Sequence, residues 1–257
     1  MRLHDYLGRL GVQPPLDPSV DTLRRLHVAH RETFLFENLT IQTGGTIPLA
    51  LDSLERKFLD EGRGGYCFEH NTLFAAVLRD LGFSPVTLLG RVRRGPPELW
   101  KRTHMVLRVP IDGDSWLADV GFGAVGLLEP IPLLESTHAP QGGLTYSLRR
   151  DAGSWVLSMG DVSGATDLYE FTEDPQTAGD VEVANHYTST HPDSIFRQTL
   201  TIQRSGHTER TALKNDAVTR YRDGRMTEES LDPGQWRRTA RELFGIELND
   251  GPLVFEK

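Results

Sequence analysis

The chain has 257 residues, a hydrophobic share of 38% and a formal net charge of −8 at pH 7. This length suits one large domain or two to three small ones, and the acidic balance argues against a nucleic-acid-binding protein. The longest uninterrupted apolar run, Leu73 to Leu78, is too short to cross a bilayer, and the first residues lack the apolar stretch of a secretory signal.

Apolar residues recur at helical spacing through the first third of the chain, which predicts helices there. In the longest of them Leu73, Val77 and Leu78 share one face, and Gly82 marks the end. The predicted helices cover residues 3–10, 21–30, 51–59 and 67–81.

Short runs rich in β-forming residues follow Ser84-Pro85. Turn signals such as Asp112-Gly113 separate the runs, which is typical of an antiparallel sheet or a small barrel. The predicted strands cover residues 86–92, 104–109, 115–120, 144–148 and 155–159.

The last part of the chain has a mixed pattern. We predict a helix over 181–189, then a hairpin whose strands, 195–204 and 208–213, flank Ser205-Gly206. Asp232 is expected to cap a final helix with Pro233 at its first position and Gly245 just past its end. The order of helices, strands and a mixed segment indicates an α+β fold, not a doubly wound parallel sheet. The expected parts are 1–84, 85–180 and 181–257.

Cys67, the one cysteine, cannot form an intrachain disulfide, which suits a reducing cytoplasm. It follows Gly64 and Gly65 and precedes the long apolar-striped helix, so it is expected at a helix N-terminus. The helix dipole and free amides there stabilise an anion, and the N–H of Cys67 could face a developing oxyanion. The alternative is a small buried cysteine beside a glycine turn.

A thiolate nucleophile needs a base within reach, and the hairpin that His104 opens singles it out among nine histidines. If this hairpin turns about Ile111-Asp112, residues 104 and 119 face each other, with Cβ atoms about 4.5–5.5 Å apart. A turn about Asp112-Gly113 would shift the pairing by two residues. Asp119 would hydrogen-bond one ring nitrogen of His104 and leave the other for Cys67, which completes a triad. Taken singly, each could be an ordinary strand or turn residue.

Two other motifs are weaker indications of function. His70 lies about one helical turn after Cys67 and could share a metal, but no further ligands follow in order, so no metal is expected. Gly121, Gly123 and Gly126 resemble a dinucleotide-binding turn in their glycine count alone, because the prolines at 130 and 132 prevent the required helix. Closely spaced glycines can still let backbone amides approach a phosphate.

A basic cluster stands out in this acidic chain. It is either a solvated loop or an attractive patch for a phosphate-bearing substrate. Its members are Arg91, Arg93, Arg94, Lys101 and Arg102.

The segment from Arg63 to Asn71 resembles the cysteine signature of the arylamine N-acetyltransferases. Further segments resemble the family in order, up to beyond residue 200, and the final third matches loosely. They are Phe34 to Leu39, Thr103 to Leu107, Leu117 to Gly123 and Asn185 to Phe196.

The resemblance implies a fold and a reaction. A helical bundle (1–84) would carry Cys67, a β-barrel (85–180) would carry His104 and Asp119, and an α/β lid (181–257) would close over them, around a core similar to papain-like and transglutaminase-like enzymes. Acetyl-CoA would be the acyl donor and an arylamine, hydrazine or N-hydroxyarylamine the acceptor, with no permanently bound cofactor.

The resemblance also implies binding residues. Phe36 and Phe122 match aromatic positions of the family's acceptor pocket. Gly121 and Gly123 match its glycine loop near the coenzyme pyrophosphate, and Tyr187 matches a position close to the coenzyme.

Other functions use the same three groups. A transglutaminase-like enzyme or thiol hydrolase would pass the acyl group to lysine or water, and some relatives act as amide synthases. A binding protein without turnover is a further alternative, against which the intact triad argues. We expect neither a nucleic-acid nor a membrane partner. The natural amine, the preferred acyl group and the number of subunits stay open.

Overall fold

A computed structural model describes residues 1–161, 164–222, 225–248 and 251–256. The fold is α+β and both of its sheets are antiparallel, which confirms the fold class predicted from the order of elements. Within those ranges, no helix is long and apolar enough to span a membrane.

The predicted N-terminal helices are present. The helix that begins at Cys67 ends at Asp80 with Leu81 as its C-cap, and Gly82 follows in the left-handed conformation with φ 87°, as its position indicated. Burying an apolar side chain such as that of Leu73 or Phe74 stabilises the fold by about 1.5–3 kcal/mol. The elements are α1 (Leu3–Leu10), α2 (Val20–Thr33), β1 (Phe36–Glu37), α3 (Leu39–Gln42), α4 (Leu51–Glu55), continued by a π-helical turn (Arg56–Asp60), and α5 (Cys67–Asp80).

The middle of the chain forms an eight-stranded, nearly closed antiparallel barrel of order β5-β4-β3-β2-β9-β8-β7-β6. Five of its strands were predicted, whereas β5, β6 and β9 were not. The strands are β2 (Val86–Val92), β3 (Arg102–Ile111), β4 (Asp114–Ala118), β5 (Ile131–Pro132), β6 (His138–Gln141), β7 (Leu144–Asp151), β8 (Ser154–Asp161) and β9 (Gly164–Phe171).

The β3–β4 hairpin turns about Asp112-Gly113, with Ile111 opposite Asp114. Both turn residues have positive φ, 51° and 90°, which is the geometry of a two-residue type I′ turn. Of the two turns considered, this is the one that shifts the pairing by two residues, so residues 104 and 119 are not directly opposed. Asp119 lies just beyond the end of β4, two residues away from the position opposite His104.

The C-terminal part contributes a second sheet, of order β1-β10-β11-β12-β13, so the first and last parts of the chain share one sheet. The predicted helix over 181–189 and the hairpin about Ser205-Gly206 are present, whereas β12 and β13 were not predicted. The elements are α6 (Ala178–Thr190), α7 (Ile195–Gln198), β10 (Thr201–Ser205), β11 (Glu209–Lys214), β12 (Ala217–Arg222), β13 (Arg225–Ser230) and α8 (Trp236–Phe244).

Two local predictions in this part were wrong. Residues 195–198 form a helical turn, not a strand, because the Ser194 hydroxyl caps it by accepting from the N–H of Phe196 at 3.3 Å. The final helix begins at Trp236 and not at Pro233, because Gly234 takes a left-handed conformation with φ 79°. Its predicted end at Gly245 is confirmed, with φ 70°.

Buried apolar side chains form three clusters. One joins α1, α2 and α5 to β3 and to Val181 and Ala184 of α6, the second fills the barrel, and the third joins α8 to β10, β11 and Leu39. The first and third clusters each draw on more than one of the expected parts. The division at 84 and 180 stays a prediction.

Candidate active site

Cys67 is the first residue of α5, as predicted, and lines a cavity of about 770 Å³. Its side chain is 3% exposed, and Sγ lies 3.7 Å from the carbonyl oxygen of Thr103. Tyr66 before it is extended, with φ −110° and ψ −169°, so the helix starts abruptly at the cysteine. The thiol thus faces the cavity from the positive end of the helix dipole.

The turn before Cys67 is held by close backbone contacts. A Cβ on Gly64 would lie 1.7 Å from the carbonyl oxygen of Leu35, so only glycine fits. That oxygen also accepts from the N–H of Gly65 at 3.3 Å. The Glu69 carboxylate accepts from the N–H of Tyr66 at 3.0 Å and thereby caps the helix.

Buried charges hold the same turn. Lys57 donates to Glu69 at 2.6 Å, and Arg63 donates to Glu37 at 2.8 Å. Burial raises the pKa of Glu37, but the charges of Lys57 and Arg63 lower it further, so the net shift is downward. Glu37 is therefore ionised at neutral pH and anchors Arg63, which begins the cysteine segment.

His104 and Asp119 meet despite the corrected register. His104 Nε2 lies 2.8 Å from Asp119 Oδ2, and the side chains are 3% and 0% exposed. The other carboxylate oxygen accepts from the N–H of Gly121 at 2.9 Å and from Asn71 Nδ2 at 3.1 Å. Because Nε2 is engaged, Nδ1 is the ring nitrogen of His104 that stays available to Cys67.

The charges of this pair stabilise each other. Burial lowers the pKa of His104, but Asp119 and the contact with Cys67 outweigh it and raise that pKa above its ordinary value. Burial likewise raises the pKa of Asp119, and the charge and hydrogen bond of His104 overcome it and lower that pKa. At neutral pH the pair is therefore an imidazolium hydrogen-bonded to a carboxylate.

Asn71 is a site residue that sequence reasoning did not single out. Its Nδ2 donates to the carbonyl oxygen of Met105 at 2.8 Å, and its Oδ1 accepts from the N–H of Val120 at 3.2 Å. Asn71 therefore ties the cysteine helix to β3 and to the segment that follows β4. Its spacing of four residues from Cys67, which puts both on one helix face, is the signal that could have identified it.

Aromatic rings form the walls around His104. Phe36 and Phe122 both line the cavity. The ring of Phe122 packs edge-on against His104, with centroids 4.9 Å apart, and the buried Tyr169 lies 4.7 Å from His104 on another side. Tyr169 belongs to β9, which was not predicted.

The two glycines assigned to the coenzyme differ in position. Gly121 lines the cavity, and a Cβ there would lie 2.7 Å from the Cα of Cys67. Gly123 has φ 84°, and its carbonyl oxygen accepts from the buried Arg31 at 2.6 Å. Gly123 is absent from the cavity lining, as is Asp119, so these two of the predicted site residues lie behind the wall.

Basic side chains form part of the cavity lining. Tyr187 stacks on His191 with centroids 4.4 Å apart, and the Lys101 ammonium lies 5.6 Å from the Tyr187 ring. Lys214 also lines the cavity, and burial together with the charge of Arg94 lowers its pKa. Lys101, Arg94 and Lys214 thus all line the cavity, and Lys101 lies beside Tyr187.

The basic cluster seen in the sequence is divided. Arg94 and Lys101 line the cavity. Arg93 instead forms ion pairs of 2.7–2.8 Å with acidic residues of the barrel, and Arg91 donates to the carbonyl oxygen of Trp100 at 2.7 Å. Two members therefore fit a substrate patch, while Arg91 and Arg93 organise the loop that carries them.

Both ring nitrogens of His70 are engaged in hydrogen bonds within the protein. Its Nε2 donates to the carbonyl oxygen of Leu35 at 3.1 Å and its Nδ1 accepts from His30 Nε2 at 2.8 Å, while Tyr6 donates to His30 Nδ1 at 2.7 Å. In the described part of the chain, no cluster of three or more His, Cys, Asp or Glu residues is arranged to hold a metal ion. His30 and His70 are therefore neutral, buried members of one chain of hydrogen bonds next to Phe36.

Known proteins resemble this chain over nearly its whole length. A family model described as N-acetyltransferase matches residues 19–253. The arylamine N-acetyltransferase / N-hydroxyarylamine O-acetyltransferase of Salmonella typhimurium is 36% identical over 254 residues, covering 96% of this chain and 90% of that protein. The crystal structure of Nocardia farcinica arylamine N-acetyltransferase has a TM-score of 0.91 at 36% identity, covering 97% of this chain and 90% of the other. The structure of Mycobacterium marinum arylamine N-acetyltransferase in complex with CoA has a TM-score of 0.89 at 32% identity, covering 95% and 92%.

Proposed function

The chain belongs to the arylamine N-acetyltransferase family, and we propose that it carries acetyl from acetyl-CoA, through a thioester on Cys67, to the nitrogen of arylamines, hydrazines or N-hydroxyarylamines. The observation that carries the proposal is the buried His104–Asp119 pair, 2.8 Å apart, beside a thiol at a helix N-terminus. Acetyl-CoA is a substrate in this scheme, and no resident cofactor takes part.

In the first half-reaction the Cys67 thiolate attacks the acetyl carbonyl carbon. A carbon–sulfur bond to Cys67 forms, the bond to the coenzyme sulfur breaks, and the His104 imidazolium gives its Nδ1 proton to that sulfur. Asp119 holds the ring through Nε2 during the transfer. The backbone N–H of Cys67, at the first position of α5, is our candidate donor to the oxyanion.

In the second half-reaction the acceptor nitrogen attacks the acetyl-Cys67 thioester. The new carbon–nitrogen bond forms as the carbon–sulfur bond breaks, and neutral His104 takes the proton that the nitrogen loses. The thiolate and the imidazolium are restored together. One pocket thus serves donor and acceptor in turn, in a ping-pong mechanism.

We assign the acceptor to the aromatic wall of Phe36 and Phe122, and the coenzyme to Gly121, Gly123 and Tyr187. Lys101 beside Tyr187, together with Arg94 and Lys214 elsewhere in the cavity lining, supports the placement of phosphates in this cavity. Gly123, which lies behind the wall, would act by shaping the turn and not by lining the pocket.

The thioester is testable directly. Acetyl-CoA added without acceptor should leave one acetyl group on Cys67, detected by intact and peptide mass spectrometry after rapid quenching. Cys67→Ser is the matched control that should stay unmodified at residue 67. Acetyl groups on lysines alone, with Cys67 free in wild-type samples, would contradict the proposal.

Steady-state kinetics test the order of binding. Double-reciprocal plots at several acceptor concentrations should be parallel, because the first product leaves before the acceptor binds. Lines that intersect to the left of the axis would indicate a ternary complex and would rule out the shuttle through Cys67.

The alternatives with the same triad differ in the acceptor, and the relatives, which bear arylamine N-acetyltransferase names, do not favour them. A panel of arylamines and hydrazines separates them: transfer predicts faster acetyl-CoA consumption with amine and an N-acetyl product. Consumption that amines leave unchanged would indicate a hydrolase, and no consumption at all would indicate a binding protein.

The one cysteine, which must stay reduced, is the basis on which we propose a cytoplasmic location.

A further inference from the structure

The segment 119–128 forms most of the connection between β4 and β5 and contains much of the site. Asp119 begins it, Gly121 packs against Cys67, and Phe122 packs against His104. The chain leaves the β3–β4 ladder after Ala118, so the N–H of Asp119 has no strand partner in that hairpin. Something outside the sheet must therefore fix where this segment begins.

His27 of α2 makes that contact. The N–H of Asp119 donates to His27 Nε2 at 3.1 Å, and His27 Nδ1 lies 2.9 Å from the carbonyl oxygen of Leu128. A carbonyl oxygen only accepts, so Nδ1 carries the proton, and Nε2, which accepts, carries none. The two partners are the first and last residues of the segment, and both determine the same neutral tautomer.

We propose that neutral His27 is a positioning residue of the active site, which holds both ends of segment 119–128 and thereby sets the place of Asp119 relative to His104. The inference rests on the proposed function, because Asp119 matters through His104 and Cys67. His27 does not line the cavity, so it acts on the reaction through the segment that it holds, whose first residue is Asp119.

The surroundings of His27 favour this neutral form. The ring is fully buried and lies edge-on to Phe74, with centroids 5.9 Å apart. Burial lowers the pKa of His27 to about 4, the cation Arg31 lowers it, and the carboxylate of Asp119 acts in the opposite direction. His30 lies on the same helix and interacts electrostatically with His27. It is itself neutral because burial lowers its pKa.

Protonation of His27 would put a second N–H against the N–H of Asp119. Two donors would then face each other, and the start of the segment would lose the partner of the Asp119 N–H while keeping the hydrogen bonds of Asn71 to Asp119 and Val120. Arg31, one helical turn later, holds the middle of the segment through the carbonyl oxygen of Gly123. Helix α2 therefore contacts the segment at three points, of which the two made by His27 depend on its tautomer.

Two variants test the proposal, each of which keeps one of the two hydrogen bonds of His27. His27→Gln places an amide oxygen near the Nε2 position and can still accept from Asp119, while it loses the donor to Leu128. His27→Asn places an amide nitrogen near Nδ1 and can still donate to Leu128, while it loses the acceptor for Asp119. Each variant lacks one buried hydrogen bond, so thermal unfolding should show similar losses of stability in both.

The readout is the single-turnover rate at which acetyl-CoA acetylates Cys67, per folded molecule. We expect His27→Asn to be about tenfold slower than His27→Gln, the size of one net hydrogen bond expressed as a rate. Exposed His138, mutated to Asn, is the control that should match wild type. Equal rates in the two His27 variants would overturn the proposal, whereas a wild type that is never acetylated would refute the proposed function instead.

A measurement on the unmodified protein covers the case in which neither variant folds. In the nitrogen-15 spectrum at neutral pH, His27 should show a protonated Nδ1 and an unprotonated Nε2. A ring protonated on Nε2, or on both nitrogens, could not accept from Asp119 and would overturn the proposal.

Discussion

At the scale of single residues, the site depends on opposite charges that are buried together. His104 and Asp119 are both out of water, which costs free energy for each charge, and the 2.8 Å hydrogen bond between them offsets that cost. Removing either charge alone would leave the other without compensation. The pair therefore acts as one unit in stability and in catalysis.

Asp119→Asn tests this unit at nearly constant size. The Oδ1 contacts to Gly121 and Asn71 can persist, but an amide NH₂ in place of Oδ2 would force His104 Nε2 to become an acceptor. The proton would then stay on Nδ1, on the Cys67 side, which is the wrong tautomer for a base. We expect acetylation of Cys67 to slow by about 10⁴-fold, the size of the corresponding change in serine proteases.

The measurement is single-turnover acetylation, with circular dichroism to show that the variant is folded. Asp114→Asn, an exposed aspartate of the same hairpin, is the matched control and should keep wild-type activity. A folded Asp119→Asn variant with near-normal turnover would mean that Asp119 is not needed to orient His104.

At the scale of elements, the start of α5 and the segment after β4 are in direct backbone contact. Gly121 lies so close that a Cβ would fall 2.7 Å from both the Cα of Cys67 and Nδ2 of Asn71. Real Cβ atoms do not approach other atoms so closely, so one of the two elements would have to move. The fit between helix and segment, more than the conformation of either, makes the glycine necessary.

Gly121→Ala should therefore impair catalysis through displacement. We expect a drop of about 10²-fold in the rate of Cys67 acetylation, since a shift of about 1 Å in a reacting group costs that much. Gly8→Ala in α1 is the matched control, because a Cβ there meets nothing within 4 Å. It should keep its activity and gain about 0.5–1 kcal/mol of stability from helix propensity. Normal acetylation by Gly121→Ala would show that the helix–segment contact is loose.

At the scale of the whole molecule, several histidines are buried in the neutral form. Burial lowers the pKa of His27 to about 4 and that of His70 to about 3. Each is below the ordinary value of 6.5, so between these values the unfolded chain binds more protons than the folded one. The stability that neutral burial provides is complete above about pH 6.5 and is lost as the pH falls towards the folded-state values.

The free energy of unfolding should accordingly fall by up to about 1.4 kcal/mol per histidine for each pH unit below about 6.5. Urea unfolding at about pH 7, 6 and 5 measures this slope. His70→Gln, which removes one neutral histidine, should flatten it, whereas His138→Asn, at an exposed histidine, should not. A slope that His70→Gln leaves unchanged would mean that His70 does not contribute to acid sensitivity.

The sequence by itself determined those features that depend on neighbours along the chain. The glycines before Cys67 and the apolar stripe after it place the cysteine at a helix start, since turn and periodicity are both local. Asp112-Gly113 likewise indicates a hairpin, and Gly245 indicates the end of the last helix. Local patterns of this kind are therefore sufficient to propose the nucleophile, its base and its carboxylate.

Only the tertiary structure decided how these local pieces meet. The type I′ turn moved Asp119 out of direct opposition to His104, yet the two still touch because the chain leaves the ladder at Asp119. His27 accepts the freed N–H across 92 positions of sequence, and no local pattern signals a contact of that separation. Such contacts follow from how helix and barrel pack together, which is a property of the whole chain and not of any one segment.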